Sequence, residues 1–161
     1  GDMQICIIGS GHIGSGLARA WRKHGHEIVF GARDPADAKL AQLCQELGAT
    51  ATTIENAPAQ AEVVVLAMPY MALDSVLSQV GALTGKLVVD CTNAVERGMT
   101  LKYGHTTSAA EILQERLPAA HVVKSFNAQG AENLANPQYP EGRAMNFYCG
   151  DNDDARATMH R

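Results

Sequence analysis

An apolar run that breaks into three spaced glycines constrains this chain more than any other stretch. Cys6-Ile7-Ile8-Gly9-Ser10-Gly11-His12-Ile13-Gly14 leads from strand-like residues into G-x-G-x-x-G, and Ile13, Leu17 and Trp21 then recur at helical spacing. Each glycine in such a turn has its own task. Gly9 permits the tight turn off the strand, Gly11 lets backbone approach a pyrophosphate, and Gly14 lets the helix lie close on the strand. The start of the helix then presents unpaired N–H groups and the positive end of its dipole to an anion, with no charged side chain required. An isolated match of this kind can be an ordinary glycine turn. Here a strand precedes it and a helix follows, so the sequence predicts a dinucleotide site over Gly9, Ser10, Gly11, His12, Ile13 and Gly14.

From that point apolar runs alternate with helix-period segments almost to the end of the chain, the pattern of a parallel sheet covered on both faces. Strands are expected over residues 4–8, 27–31, 49–51, 63–67, 87–90, 121–124 and 144–149. Asp34-Pro35 reads as an N-cap with proline at the first helical position, opening a helix with Leu40, Leu43, Cys44 and Leu47 on its face and Gly48 at its end. Thr52 and Glu55 have capping-box spacing, as do Ser108 and Glu111, with Ala109, Ile112 and Leu113 forming the face of the helix behind the second box. Leu73, Val76, Leu77 and Val80 line another helix. Residues 125–136 read as a loop and a short helix, and 151–161 as the beginning of a further helix. The expected fold is a Rossmann-type α/β domain, a doubly wound and mostly parallel sheet forming one domain over residues 1–161, with the C-terminal elements left open because the last pattern breaks off.

Several classes of function are disfavoured. A formal charge of -4 and a pI near 5.8, with no basic patch carrying interleaved aromatics, argue against nucleic acid as the main partner. No stretch approaches the roughly 18 to 20 apolar residues of a membrane span, and no basic leader precedes the first strand, so a cytoplasmic protein is the expectation. Cys6, Cys44, Cys91 and Cys149 lack C-x-x-C spacing and lie mostly in apolar runs, which favours buried free thiols over a disulfide or a zinc site. Neither a metal cluster nor a Ser/His/Asp set can be argued from spacing.

Ligands of a doubly wound sheet lie across the carboxyl ends of the strands where the strand order reverses. After the second strand, a cofactor without a 2′-phosphate calls for an acidic side chain on its ribose. This chain has Gly31-Ala32-Arg33, and a guanidinium there pairs with a phosphate in two parallel bonds, which favours NADP over NAD. Pairing of Arg33 with Asp34 is the structural alternative. Met68-Pro69-Tyr70 and Cys91-Thr92-Asn93 follow the fourth and fifth strands and should frame the nicotinamide, with Tyr70 packing on a ring and Asn93 offering its amide to the carboxamide. His12 counts more for its backbone than for its imidazole, and His105 is a weak candidate acid.

Together these segments resemble a known family. Gly9-Ser10-Gly11-His12-Ile13-Gly14, Gly31-Ala32-Arg33-Asp34-Pro35, Leu66-Ala67-Met68-Pro69, Asp90-Cys91-Thr92-Asn93, Val123-Lys124-Ser125-Phe126-Asn127 and Gly130-Ala131-Glu132-Asn133-Leu134 are similar, in order, to motifs of the NADP oxidoreductases that use the deazaflavin coenzyme factor 420. The resemblance implies hydride transfer between NADPH and a flavin or deazaflavin laid against the nicotinamide. It places the pyrophosphate on Ser10 to Ile13, the 2′-phosphate on Arg33, with Ala32 beside it as a further cofactor-binding residue, and the nicotinamide among Met68, Pro69, Asn93, Phe126, Asn127 and Ala128, with a small-molecule redox acceptor as partner and a homodimer as the assembly. Tyr70 stands where the family commonly has tryptophan, and Ala94 where it often has proline. A dinucleotide-binding sensor or regulatory domain without turnover, and an NADPH-dependent reductase of ferric ion or small carbonyls, are the other functions compatible with these residues.

Overall fold

A computed structural model describes residues 3–92, 95, 112–124, 144–146 and 158–160. The strands are β1 (Gln4–Ile8), β2 (Glu27–Ala32), β3 (Thr50–Thr53), β4 (Val63–Leu66), β5 (Leu87–Asp90), β6 (His121–Lys124), β7 (Ala144–Asn146) and β8 (Thr158–His160). The helices are α1 (His12–Lys23), α2 (Ala38–Leu47), α3 (Leu73–Val80) and a short α4 over 112–116. Six strands form one sheet in the order β3-β2-β1-β4-β5-β6, and all five pairings are parallel. β7 and β8 pair antiparallel as a separate ribbon.

Period-two side-chain alternation divides β1 between two cores. Ile5 and Ile7 enter a cluster with Leu17 and Trp21 of α1, Phe30 of β2, and Leu40 and Leu43 of α2. Cys6 and Ile8 enter the other, with Val64 and Leu66 of β4, Leu73, Val76 and Leu77 of α3, and Leu113 and Leu117. A strand buried on both faces can be apolar at every position, which is why Val63-Val64-Val65-Leu66 shows no alternation in the sequence. Burial also governs the thiols. It pushes Cys6 up to about 12, only partly opposed by the Lys86 charge, and raises Cys44, so both remain protonated and unreactive at neutral pH.

Two polar side chains, Arg22 and His26, hold one corner of this packing. The Arg22 guanidinium donates to the carbonyls of Leu47 at 2.7 Å and His26 at 2.9 Å, tying the end of α1 to the end of α2 and the entry to β2. Buried His26 accepts the backbone N–H of Met3 at Nδ1, 3.1 Å away, which fastens the beginning of β1. Gly48 then closes α2 with a φ of 70°, a left-handed turn that costs glycine nothing.

Several local expectations are corrected. α2 begins at Ala38: the Asp34 carboxylate accepts from Ala36 N–H within a preceding turn, while Asp37 caps the helix by accepting from Leu40 N–H at 3.1 Å. The expected terminal helix contains strand β8 at Thr158–His160, where pairing with β7 overrides the local helical pattern. Cys91 is disulfide-bonded, whereas Cys6 and Cys44 are free; spacing along the chain does not reveal spatial neighbours. The hydroxyl partner before the short 3-10 turn Ala57–Gln60 is Thr53, which accepts from Asn56 N–H, one residue beyond the expected box. Of the helix face expected behind the second box, Leu113 is buried and Ile112 is 43% exposed, and Ala109 lies outside the described residues. Ser108, Glu111 and the segment 125–136 lie outside the described residues.

Among the described residues no helix is long and apolar enough to cross a membrane. The His26 contact has a measurable weight. His26→Leu should leave the Met3 N–H buried without its acceptor and lower the unfolding free energy by about 1–3 kcal/mol, read as a reduced midpoint in urea; an unchanged midpoint would show that the contact contributes nothing.

Candidate functional site

Sheet register brings the ends of the strands level. Ile8 lies opposite Gly31 of β2 and Leu66 of β4, Leu66 opposite Asp90 of β5, and Asp90 opposite Lys124 of β6. The residues that follow, Ala32-Arg33, Gly9-Ser10, Ala67-Met68 and Cys91-Thr92, therefore emerge along one edge. β1 is flanked by β2 and β4, so the chain builds outward in one direction from β1 and then returns to begin at β4 in the other. The crevice outside a sheet at such a reversal is where ligands of doubly wound folds bind.

A cavity of about 500 Å³ opens there, lined by Gly9, Ser10, Gly11, His12, Ile13, Ala67, Met68, Pro69 and Val95. Its shape follows from close backbone packing. Gly9 has a φ of 109°, and a Cβ on it would strike the Ala67 carbonyl at the end of β4. A Cβ on Gly14 would fall on the carbonyl oxygen of Gly9, so the first turn of α1 can lie against the strand end only because no side chain intervenes. The Gly9 N–H points to the Gly31 carbonyl at 3.4 Å, fastening the turn to β2. Gly11 differs from both: a Cβ there would meet nothing within 4 Å. Its bareness serves no internal packing and leaves backbone open toward the cavity.

Gly11 is also the N-cap of α1, where no side chain caps the helix and the first turn holds no acidic residue. The first N–H groups of a helix have no intrahelical acceptor. They and the positive dipole end therefore remain available for an external anion, and Arg22 and Lys23 in the last turn complement the negative end.

Around this centre the remaining candidates fall into two groups. Ala32 ends β2 half-buried and Arg33 follows it exposed, with no ion pair among the described residues; its neighbour Asp34 is engaged with Ala36 N–H. Met68 is buried and Pro69 half-buried, and both line the cavity. Asn93, Phe126, Asn127, Ala128 and His105 lie outside the described residues. Sequence reasoning missed Val95 as a lining residue, and it missed the buried carboxylate of Asp90. That carboxylate accepts from both the N–H and the hydroxyl of Thr92, at 2.9 and 2.6 Å, and so fixes the turn that leaves β5. Asp-x-Thr at a strand end was a legible signal, because aspartate commonly bonds backbone two residues on.

The geometry has matching relatives. Residues 4–94 match the model of the family described as NADP oxidoreductase, coenzyme F420-dependent. The chain belongs to that family. Membership places it among NADP-dependent oxidoreductases with a Rossmann-like fold. It is 33% identical over 157 residues to the metalloreductase STEAP3 of Rattus norvegicus, covering 97% of this chain and 30% of the relative, so it spans about a third of that protein's length. A crystal structure of a candidate F420-dependent NADP-reductase from Arthrobacter sp. FB24 superposes with a TM-score of 0.66 at 29% identity, covering 87% of this chain and 70% of that one. A reductive aminase from Aspergillus terreus, solved with NADPH, shares the fold with a TM-score of 0.58 at 24% identity over 77% of this chain and 39% of its own.

The glycines separate under substitution. Gly11→Val should fold with a stability near that of the parent and lose NADPH binding in calorimetry, since its side chain enters open space in front of the helix. Gly14→Val should instead lose stability, by about 3 kcal/mol or more, because its side chain meets backbone. Retained NADPH affinity in a folded Gly11→Val protein would remove the glycine turn from the site.

Proposed function

We propose that this chain binds NADPH across the β1–β4 crevice and delivers its hydride to a flavin or deazaflavin ring. The observation that carries the reading is the uncapped start of α1, opening with bare Gly11 onto a cavity that Met68 and Pro69 also line. The N–H groups of the first turn take the pyrophosphate, and the exposed Arg33, not held by Asp34, takes the 2′-phosphate. Met68 and Pro69 support the nicotinamide, with Asn93, Phe126, Asn127 and Ala128 assigned to the same pocket on the family motif. When bound, NADPH supplies a hydride from its nicotinamide, leaving NADP⁺, and the acceptor ring takes up that hydride together with a proton from solvent.

Hydride transfer between stacked rings depends chiefly on distance and alignment, which the protein provides as walls. A carbonyl acceptor would need a proton donor or an electrostatic partner for its developing alkoxide. The described lining offers one titratable side chain, the exposed His12 of the glycine turn. The likeness to a metalloreductase favours a second reading, in which a bound ring passes electrons singly to a metal ion, since a hydride carries two.

Arg33 gives the decisive arithmetic. Arg33→Ala should weaken NADPH roughly ten- to a hundredfold, while NADH, which has no 2′-phosphate, should be nearly unaffected. Parallel losses for both nucleotides in calorimetric titrations would make Arg33 a support of the fold instead. Absorbance at the nicotinamide band with a panel of flavins, ferric chelates and small ketones then identifies the acceptor: loss of NADPH with the ketones alone would contradict the ring-to-ring reading.

A further inference from the structure

The wall formed by Met68 and Pro69 does not stop at the cavity. The chain continues directly into a single 3-10 turn, Tyr70–Ala72, whose Ala72 N–H donates to the Pro69 carbonyl at 2.9 Å. Buried residues anchor this turn on both sides, Met68 before it and Leu73 after it, at 7% and 3% exposure. Between those anchors Tyr70 is 40% exposed and Met71 85% exposed. Large exposed hydrophobic side chains among the described residues number three, and two of them are these adjacent residues at the rim of the cavity. A frayed loop could expose apolar groups anywhere, whereas this pair is held outward by a hydrogen-bonded turn fixed in the core through Leu73.

The chemistry of the pair selects its occupant. No charged residue interrupts Met68-Pro69-Tyr70-Met71-Ala72. A thioether is polarisable and makes favourable contacts with aromatic rings, and a tyrosine offers a flat face with a polar tip. An apolar wall that runs from inside a nucleotide cavity out over its rim suits a flat conjugated ring half covered by the protein, with its far edge in solvent. We propose that Tyr70 and Met71 form the outer acceptor wall of the site, the surface on which a planar heteroaromatic ring lies before it receives hydride, and that Met71 in particular sets affinity for that ring. This rests on the reading that the cavity holds NADPH with its nicotinamide toward Met68. Met71 acts on the acceptor alone, because the cavity lining stops at Pro69 on this wall and does not include Met71.

Riboflavin is a suitable probe, being planar, fluorescent and uncharged, so that a change of charge at residue 71 does not act on it by simple repulsion. Its fluorescence is titrated with parent, Met71→Glu, Met71→Leu and Tyr70→Ala protein, each saturated with NADP⁺, and NADP⁺ affinity is measured separately for each. Met71→Glu and Tyr70→Ala should weaken riboflavin by about tenfold, Met71→Leu should stay within about threefold of the parent, and NADP⁺ affinity should be the same in the parent and both Met71 variants. Because Met71 is 85% exposed, its replacement leaves the core intact. Riboflavin affinity unchanged in both weakening variants, or absent in the parent, overturns the assignment. So does a change in sedimentation of Met71→Glu with no change in riboflavin affinity, which would mark the pair as a contact between copies of the chain. A parent that binds riboflavin through Met71 but oxidises no NADPH with any ring upholds the wall and overturns the proposed hydride transfer.

Discussion

The contact on which the structure depends is backbone against backbone: the first turn of α1 lies on the carbonyl of Gly9, and Gly9 in turn lies on the carbonyl of Ala67. Neither approach leaves room for a single Cβ. These two contacts set the angle at which α1 leaves β1 and bring the end of β4 against the glycine turn. The cavity is what remains between them. Its position at the reversal of strand order follows from the same packing, since β1 and β4 are neighbours only because the chain begins its second direction there.

A site made this way needs few chemically distinctive residues. The anion-binding power comes from N–H groups that a helix start leaves unpaired, and it survives here because Gly11 brings no capping side chain and no acid occupies the first turn. The remaining candidates add selectivity to a generic arrangement. On the proposed reading, Arg33 distinguishes one nucleotide from another by a phosphate, and the apolar residues Met68 and Pro69 distinguish a ring from a polar substrate. Buried Asp90 contributes indirectly by clamping Thr92 at the exit of β5.

The parts most legible in the sequence were those where burial and local chemistry agree. β1, β5 and β6 begin and end where the apolar runs do, and Gly48 stops α2 where a left-handed residue was required. The glycine spacing alone located the turn between β1 and α1 that lines the cavity. Elsewhere several residues competed for one local role. Asp34 and Asp37 can each cap a helix, and the sequence does not say that Asp34 is consumed by the turn at Ala36. The strand at the chain's end depends on a partner across the ribbon, and the Cys91 bridge on a neighbour in space, so neither could be seen in local pattern. Met71 was invisible for a different reason: an apolar residue in a sequence looks buried until a structure shows the turn that holds it out.

The central claim is that nucleotide phosphates sit on bare backbone at the start of α1. Amide chemical shifts of ¹⁵N-labelled protein titrated with NADP⁺ read those N–H groups one by one. The account predicts the largest changes at Ser10, Gly11, His12 and Ile13, a second group at Ala32 and Arg33, and little change at Arg19, Lys23 or Leu47, which line a separate groove between α1 and α2. Changes concentrated at that groove, with the glycine turn silent, would contradict it.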